Sequence, residues 1–461
     1  MGLPEAEWCI STVRGLTFEA CEKLLDRAAA VGLLTKLVEN HYSTHPVLPW
    51  YFKGLFDQYY LTVSSSNLGL PACAFVEAIA VLGNYCNNQY DEGNRDVIAS
   101  LRCEEANLLY AQQLAQTNGQ WRALLKVVQG LRTLYEYMGH RIAWRRLVAE
   151  IKPIFVDRAT NGSFPELDEE WSIVTEYCVQ LAREEQRWAE AEELNRARVE
   201  WAQYRASSIL ALAPQKLDAL EYQAVRSLAV MLHERGQICR EQGKPNCIEA
   251  YEEAFRLLEQ IGDQASAAVY ALNTGHAYSQ VPTIRDLSKA EQWYKHSLQL
   301  RPQSDFLGRS KCLTELGRIA HEYFHEGRSF GHSETQLSHH LNQSIQFFDQ
   351  ALNLLPQNAI TALAVAHNQL GNVCRSAGDF DRAFLNYREA ICYQEAQGDL
   401  YGAADTRFNV ALIRTQAGRF DEALLYAQAA ISNYEAFGGR AMRDIQEVQK
   451  IINLIEDLQK N

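Results

Sequence analysis

The sequence is poor in proline and lacks the motifs of several catalytic and metal centres. It has 11 prolines in 461 residues, and 47% of its residues are hydrophobic, which favours a folded, largely helical protein. The 11 cysteines are scattered from Cys9 to Cys392 without a Cys-x-x-Cys pair, which argues against a disulfide framework or a cysteine-built zinc site. A Gly-x-x-x-x-Gly-Lys-[Ser/Thr] phosphate loop and a serine nucleophile elbow are also missing. We therefore predict no ATPase within this chain.

Basic charge is also scarce. The net charge is −13 and the pI is near 5.5, so we expect no nucleic acid or membrane partner bound through electrostatics. The N-terminus has Glu5, Glu7 and Trp8 in place of the basic and apolar regions of a signal peptide, and no stretch is long and apolar enough to span a bilayer. The interpretation is a cytoplasmic protein without a cofactor.

A tandem repeat organises the C-terminal half of the chain. Leu370-Gly371 is followed by a turn at Gly378, and Val410-Ala411 by a turn at Gly418. The two turn glycines are 40 residues apart (418 − 378), and an aromatic residue and alanines at helical spacing follow each of them. Small residues at these positions let two antiparallel helices approach closely. The pattern predicts successive helical hairpins.

These hairpins resemble the tetratricopeptide repeat, which implies an all-α superhelix. Residues 216–438 are the regular repeats, with one repeat enlarged by an insertion at 327–340, and residues 439–461 are a C-terminal capping helix. Residues 68–215 are divergent repeats, where Glu104-Glu105 and Gly119-Gln120-Trp121 look like the first repeat attached to STAND-type ATPases. The repeat position is filled in turn by Gly236, Gly275, Gly317, Gly371 and Ala411.

Residues 1–62 have a different pattern. A helix from Phe18 to Val31, a strand after Gly32 and the sequence Tyr42-Ser43-Thr44-His45-Pro46 together resemble the winged helix of STAND-type (NB-ARC-like) ATPases. The resemblance implies that His45 contacts a nucleotide phosphate, that an ATPase module acts in cis or in trans, and that the chain is the sensor half of a longer protein. A strand-capping role for His45 remains an alternative.

A winged helix also raises the possibility of DNA binding. Residues 1–60 contain five basic residues, Arg14, Lys23, Arg27, Lys36 and Lys53, against seven acidic ones. Such a balance binds phosphates poorly. A winged-helix transcriptional regulator is therefore kept as an alternative function that the local charge disfavours.

The sequence His321-Glu322-Tyr323-Phe324-His325 matches H-E-x-x-H, which on a helix can place two imidazoles and a general base beside a zinc ion. Because the motif continues a repeat helix that the hairpin pattern already explains, the preferred interpretation has no metal. A zinc-dependent hydrolase built on His321, Glu322 and His325 remains an alternative.

The favoured function is protein or peptide binding by a sensor and scaffold. In a repeat superhelix, residues beside the small-residue pair of each first helix line a groove, and asparagine can both donate to and accept from a peptide backbone. Solvated helix faces or bonds between helices would explain the same residues. The predicted groove residues are Asn273, His276, Arg318, His321, Gln369, Asn372, Arg375 and Asn409.

Overall fold

A computed structural model describes residues 17–38, 41–44, 69–91, 93–207, 209–210 and 217–460 of the chain. These residues form 18 α-helices, two short 3-10 helices and one two-stranded sheet. The chain divides into two compact units, Met1–Leu194 and Asn195–Asn461. Among the described residues, no helix has both the length and the apolar character needed to cross a membrane.

The first unit begins with α1 (Phe18–Ala30), whose N-terminus is capped by the Thr17 hydroxyl, and an antiparallel hairpin of β1 (Leu34–Val38) and β2 (His41–Thr44). The helix and hairpin expected from the sequence are therefore present. The remaining residues of the 1–62 segment lie largely outside the described ranges, and His45 is among them. The winged helix and the nucleotide contact of His45 stay predictions.

Among the described residues, five further helices and the start of a sixth follow in the first unit. Helices α2 and α4 cross so closely that a Cβ on Gly130 would lie 2.7 Å from Gly83 Cα; both positions therefore require glycine. In order they are α2 (Gly69–Asp91), α3 (Val97–Thr117), α4 (Trp121–Met138), α5 (Arg141–Phe155), α6 (Asp168–Glu184) and α7 (Trp188–Ala206), whose residues from Asn195 belong to the second unit.

The second unit contains five consecutive helical hairpins and a final helix. They are α8 (Ala219–Glu241) with α9 (Cys247–Gln260), α10 (Gln264–Gln280) with α11 (Leu287–Leu300), α12 (Phe306–Ser329) with α13 (Glu334–Leu354), α14 (Ile360–Ser376) with α15 (Phe380–Ala396), α16 (Leu400–Gln416) with α17 (Phe420–Glu435), and α18 (Met442–Lys460). We call the first member of each pair a first helix and the other a second helix. The tetratricopeptide-like repeat predicted from the sequence is confirmed.

A glycine–aromatic contact sets the distance between the two helices of four hairpins. The glycine lies on the first helix and the ring on the second, and a Cβ on the glycine would approach the ring to between 2.5 and 2.8 Å. In the fifth hairpin, Ala411 on α16 and Ala427 on α17 are both fully buried in one cluster, because a smaller residue on the second helix leaves room for the alanine. The four pairs are Gly236–Tyr251, Gly275–Tyr294, Gly317–Phe348 and Gly371–Tyr387.

The insertion at 327–340 forms the end of α12, a turn at 330–333 and the start of α13. It lengthens α12 to 24 residues and α13 to 21, against 17 for α14, α15 and α16. Helix α13 starts in a capping box in which Ser333 accepts from the Gln336 amide and the Gln336 side chain accepts from the Ser333 amide. The enlarged repeat is therefore a hairpin with longer helices.

Candidate groove on the first helices

All eight predicted groove residues lie on first helices α10, α12, α14 and α16, and all are half-buried. Their polar side chains sit beside the small residue at which each first helix packs on its partner. We call this set the first-helix row. It consists of Asn273, His276, Arg318, His321, Gln369, Asn372, Arg375 and Asn409.

At the α8 end of the row, the Asn273 side-chain amide lies 2.8 Å from His233 Nε2. The His233 ring stacks on Tyr270 with centroids 4.1 Å apart and planes inclined by 9°. The stacked ring is fixed in orientation, so this amide–imidazole contact ties α10 to α8.

Between α10 and α12 the row is charged. Arg318 donates to Glu315 at 3.0 Å, to Glu322 at 2.5 Å and to the Ser279 hydroxyl of α10 at 3.1 Å, and His276 Nε2 lies 3.6 Å from Glu315 Oε1. Burial alone would raise the pKa of Glu315, but hydrogen bonds and charge from His276 and Arg318 outweigh it and lower the pKa to about 2. Glu315 is therefore ionised at neutral pH.

His321 connects α12 to α14. Its Nε2 lies 2.8 Å from Ser376 Oγ, and its ring centroid is 4.4 Å from that of His325. Burial, together with the charges of His325 and Arg375, lowers the pKa of His321 to about 4. The imidazole is neutral near pH 7, where its Nε2 and the Ser376 hydroxyl can share one hydrogen bond.

Between α14 and α16, Arg375 donates to Asn409 Oδ1 at 3.1 Å. Asn372 accepts from the Tyr387 hydroxyl at 2.8 Å, which joins the row to the ring that packs on Gly371. Gln369 makes no side-chain hydrogen bond among the described residues. On α14 and α16 the row therefore has side-chain amide groups that are available for hydrogen bonds to a ligand.

The residues of the first-helix row could be predicted from the sequence, but their hydrogen-bond partners on neighbouring helices were not predicted. The partners Ser279 and His233 lie 39 and 40 residues before Arg318 and Asn273 (318 − 279 and 273 − 233). These separations equal the repeat period, so equivalent helix faces meet. Pairing polar residues one repeat apart would have found both contacts.

Glu322 of the H-E-x-x-H motif is held by two arginines. The Glu322 carboxylate accepts from Arg318 at 2.5 Å and from Arg285 at 2.7 Å, one guanidinium on each oxygen. Both oxygens of the candidate general base therefore already accept a hydrogen bond from an arginine. Among the residues described, no group of three or more His, Cys, Asp or Glu side chains is arranged to hold a metal ion.

Comparison with known proteins gives matches only among solved structures. No known protein family and no curated protein matches the sequence. Aspartyl phosphate phosphatase F from Bacillus subtilis is similar over 83% of this chain and 84% of its own, with 11% identity and a TM-score of 0.40. The apo quorum sensor NprR from B. thuringiensis is similar over 79% and 99%, with 12% identity and a TM-score of 0.40.

A STAND protein with a tetratricopeptide repeat sensor from Pyrococcus horikoshii is similar over 92% of this chain and 66% of its own, with 12% identity and a TM-score of 0.39. None of these matches identifies a ligand or an activity. The hairpins of the structure itself define the class: an all-α, tetratricopeptide-like helical-repeat protein.

Proposed function

We propose that the second unit binds a protein or peptide along the first-helix row, and that the chain acts as a sensor and scaffold in a regulatory system. The observation that carries this proposal is the row itself. Eight polar side chains from four consecutive first helices are all half-buried and therefore partly open to a ligand. A ligand that follows the row would cross these successive hairpins.

The contacts within the row favour an extended ligand. Asn372 and Asn409 each use the side-chain oxygen internally, which leaves their N–H groups for a ligand's carbonyls. Gln369 can both donate and accept. Amide groups on successive helices match the repeating donors and acceptors of an extended peptide backbone. Because every member of the row except Gln369 is already held by a side-chain contact, little side-chain ordering is needed on binding.

The test is selection of a random peptide library against the full chain. A selected peptide should bind the parent chain and lose affinity at least about tenfold in Gln369→Ala/Asn409→Ala, since each lost hydrogen bond contributes roughly 1 kcal/mol. This pair spares Asn372, whose loss would leave the buried Tyr387 hydroxyl without its acceptor. Its matched control is Glu389→Ala/Gln428→Ala, two exposed positions on second helices α15 and α17.

Equal binding by the groove pair and the control pair would contradict the proposal, as would a library that yields no specific peptide. Selective loss in the groove pair supports it.

A finer proposal concerns the output. By its N-terminal resemblance, the chain regulates a STAND-type ATPase module in cis or in trans, and occupancy of the row sets the state of the nucleotide switch. In a protein or complex that contains this module, deletion of residues 217–461 should change ATP turnover. An unchanged turnover would refute the regulatory link and leave the peptide-binding proposal intact.

A further inference from the structure

The enlarged hairpin carries three histidines at its tip. His332 lies in the turn between α12 and α13, and His339 and His340 lie near the start of α13. We call these three residues the histidine tip. None of them belongs to the first-helix row, so a role for the tip is independent of the proposed peptide binding.

His340 packs between the two long helices of this hairpin. Its ring centroid lies 5.5 Å from that of Tyr323 on α12 and 5.8 Å from that of His339. Its Nδ1 is buried and has no hydrogen-bond partner in the described part of the chain. Because a buried N–H without an acceptor is costly, we expect the neutral ring to carry its proton on Nε2. A second proton would then create an N–H at Nδ1 that has no acceptor.

The groups around His340 compensate poorly for a positive charge. Tyr323 is neutral, because burial and the nearby Glu291 raise its pKa to about 12. Glu291 on α11 favours the charged form of His340, but its carboxylate already pairs with Lys295 at 2.6 Å. Burial and the charges of the other two tip histidines outweigh Glu291 and lower the pKa of His340.

His332 closes the turn against α12. Its backbone N–H donates to the Gly327 carbonyl at 2.9 Å, and a Cβ on Gly327 would lie only 2.8 Å from His332 Nδ1. Histidine side chains gain charge between about pH 8 and pH 5. Mild acid therefore adds like charges at three neighbouring positions, which repel one another.

We propose that the histidine tip holds the end of α12 against the start of α13 only while its rings are neutral, and that mild acid opens this end of the hairpin. In the open tip water solvates the rings, whereas in the closed tip His340 resists protonation. The closed tip is therefore stable above about pH 6.5, the ordinary histidine pKa, and is lost as the pH falls below it. Glu326 in the last turn of α12 accepts from Arg285 of the preceding hairpin, so opening would also release a link between two hairpins.

The test is hydrogen exchange of the full chain at pH 7.5, 6.5 and 5.5, measured by mass spectrometry. Rates are expressed as protection factors, which removes the pH dependence of the chemical exchange itself. Protection of residues 326–341 should fall by up to about tenfold from pH 7.5 to 5.5, because one ring that titrates near pH 6.5 only in the open tip shifts the opening equilibrium by that factor.

Two variants and a matched control locate the response. His340→Gln should make protection of the tip independent of pH. His332→Gln/His339→Gln, which changes two exposed side chains, should show a smaller fall than the parent, because His340 is then easier to protonate in the closed tip. This double variant decides the matter if His340→Gln already lowers protection at pH 7.5. His325→Gln, an exposed histidine on α12, should respond like the parent.

Protection of the tip that does not change with pH in the parent would overturn the proposal. A fall that persists fully in the double variant, or that disappears equally in His325→Gln, would overturn it too. Peptide binding by the first-helix row is measured at neutral pH, where the tip is closed, so the two proposals fail separately.

Discussion

The close contact between Gly371 and Tyr387 predicts that Gly371→Ala destabilises the protein when residue 387 is tyrosine and stabilises it when residue 387 is alanine. A Cβ on residue 371 would lie 2.6 Å from Tyr387 Cε1 and 2.7 Å from Cδ1, whereas carbon atoms normally pack at roughly 3.5–4.0 Å. The ring would have to move by about 1 Å. It is fully buried and its hydroxyl is bound to Asn372, so it cannot simply rotate away.

The magnitude follows from two opposing terms. Overpacking costs roughly 1–3 kcal/mol, and this overlap with a rigid ring belongs at the upper end. Alanine is better than glycine in a helix interior by about 1 kcal/mol. We expect Gly371→Ala to lower the free energy of unfolding by about 2 kcal/mol.

The fifth hairpin supplies the control, because Ala411 and Ala427 already form the corresponding small pair. Tyr387→Ala alone should cost roughly 3–5 kcal/mol through the cavity it leaves. In that background the clash is absent, so Gly371→Ala should stabilise by about 1 kcal/mol. Urea unfolding of the parent chain, the two single variants and the double variant, monitored by circular dichroism, measures this cycle. A destabilising effect of Gly371→Ala in both backgrounds would refute the packing argument.

Three further predictions concern the extended hairpin and its surroundings. The pKa of His321 is lowered to about 4 from an unfolded value near 6.5. Because the unfolded chain takes up this proton first, stability is present above pH 6.5 and is lost as the pH falls toward 4. Between pH 7 and 5 the loss should be about 2 kcal/mol, and urea unfolding of His321→Gln should lack it; an equal loss in both proteins would contradict the assignment. Ser333→Ala should cost about 1 kcal/mol and speed hydrogen exchange in the first turn of α13, whereas exposed Ser338→Ala should not; identical exchange in the two variants would argue against the capping box. Chelator-washed protein should contain no stoichiometric zinc, since no third ligand is arranged beside His321 and His325 among the described residues; one zinc per chain that disappears in His325→Ala would restore the hydrolase hypothesis.

Much of the second unit could be predicted from its sequence, because its packing rule is local and repeats. Gly371 and Tyr387 are 16 residues apart (387 − 371), and the same small–aromatic relation recurs in successive hairpins. The conformation of the enlarged repeat was harder to predict. Residues 327–340 contain Gly327 and Gly331, which suggest a loop, but only Gly331 adopts positive φ, at +73°. Gly327 is buried inside α12, where its small size admits His332 and Leu337.

The candidate sites depend on contacts that sequence shows less directly. The row was named from positions around each small residue, but its hydrogen bonds join different helices, such as His321 with Ser376 across 55 residues.

The most direct test of the central claim is photo-crosslinking of a selected peptide to the full chain, with the crosslinked residues located by mass spectrometry. Binding along the first-helix row predicts crosslinks on first helices α10, α12, α14 and α16, near Asn273, Arg318, Gln369 and Asn409, and their loss on competition with unlabelled peptide. Competed crosslinks confined to second helices α13, α15 and α17, or to the first unit, would contradict binding along the first-helix row.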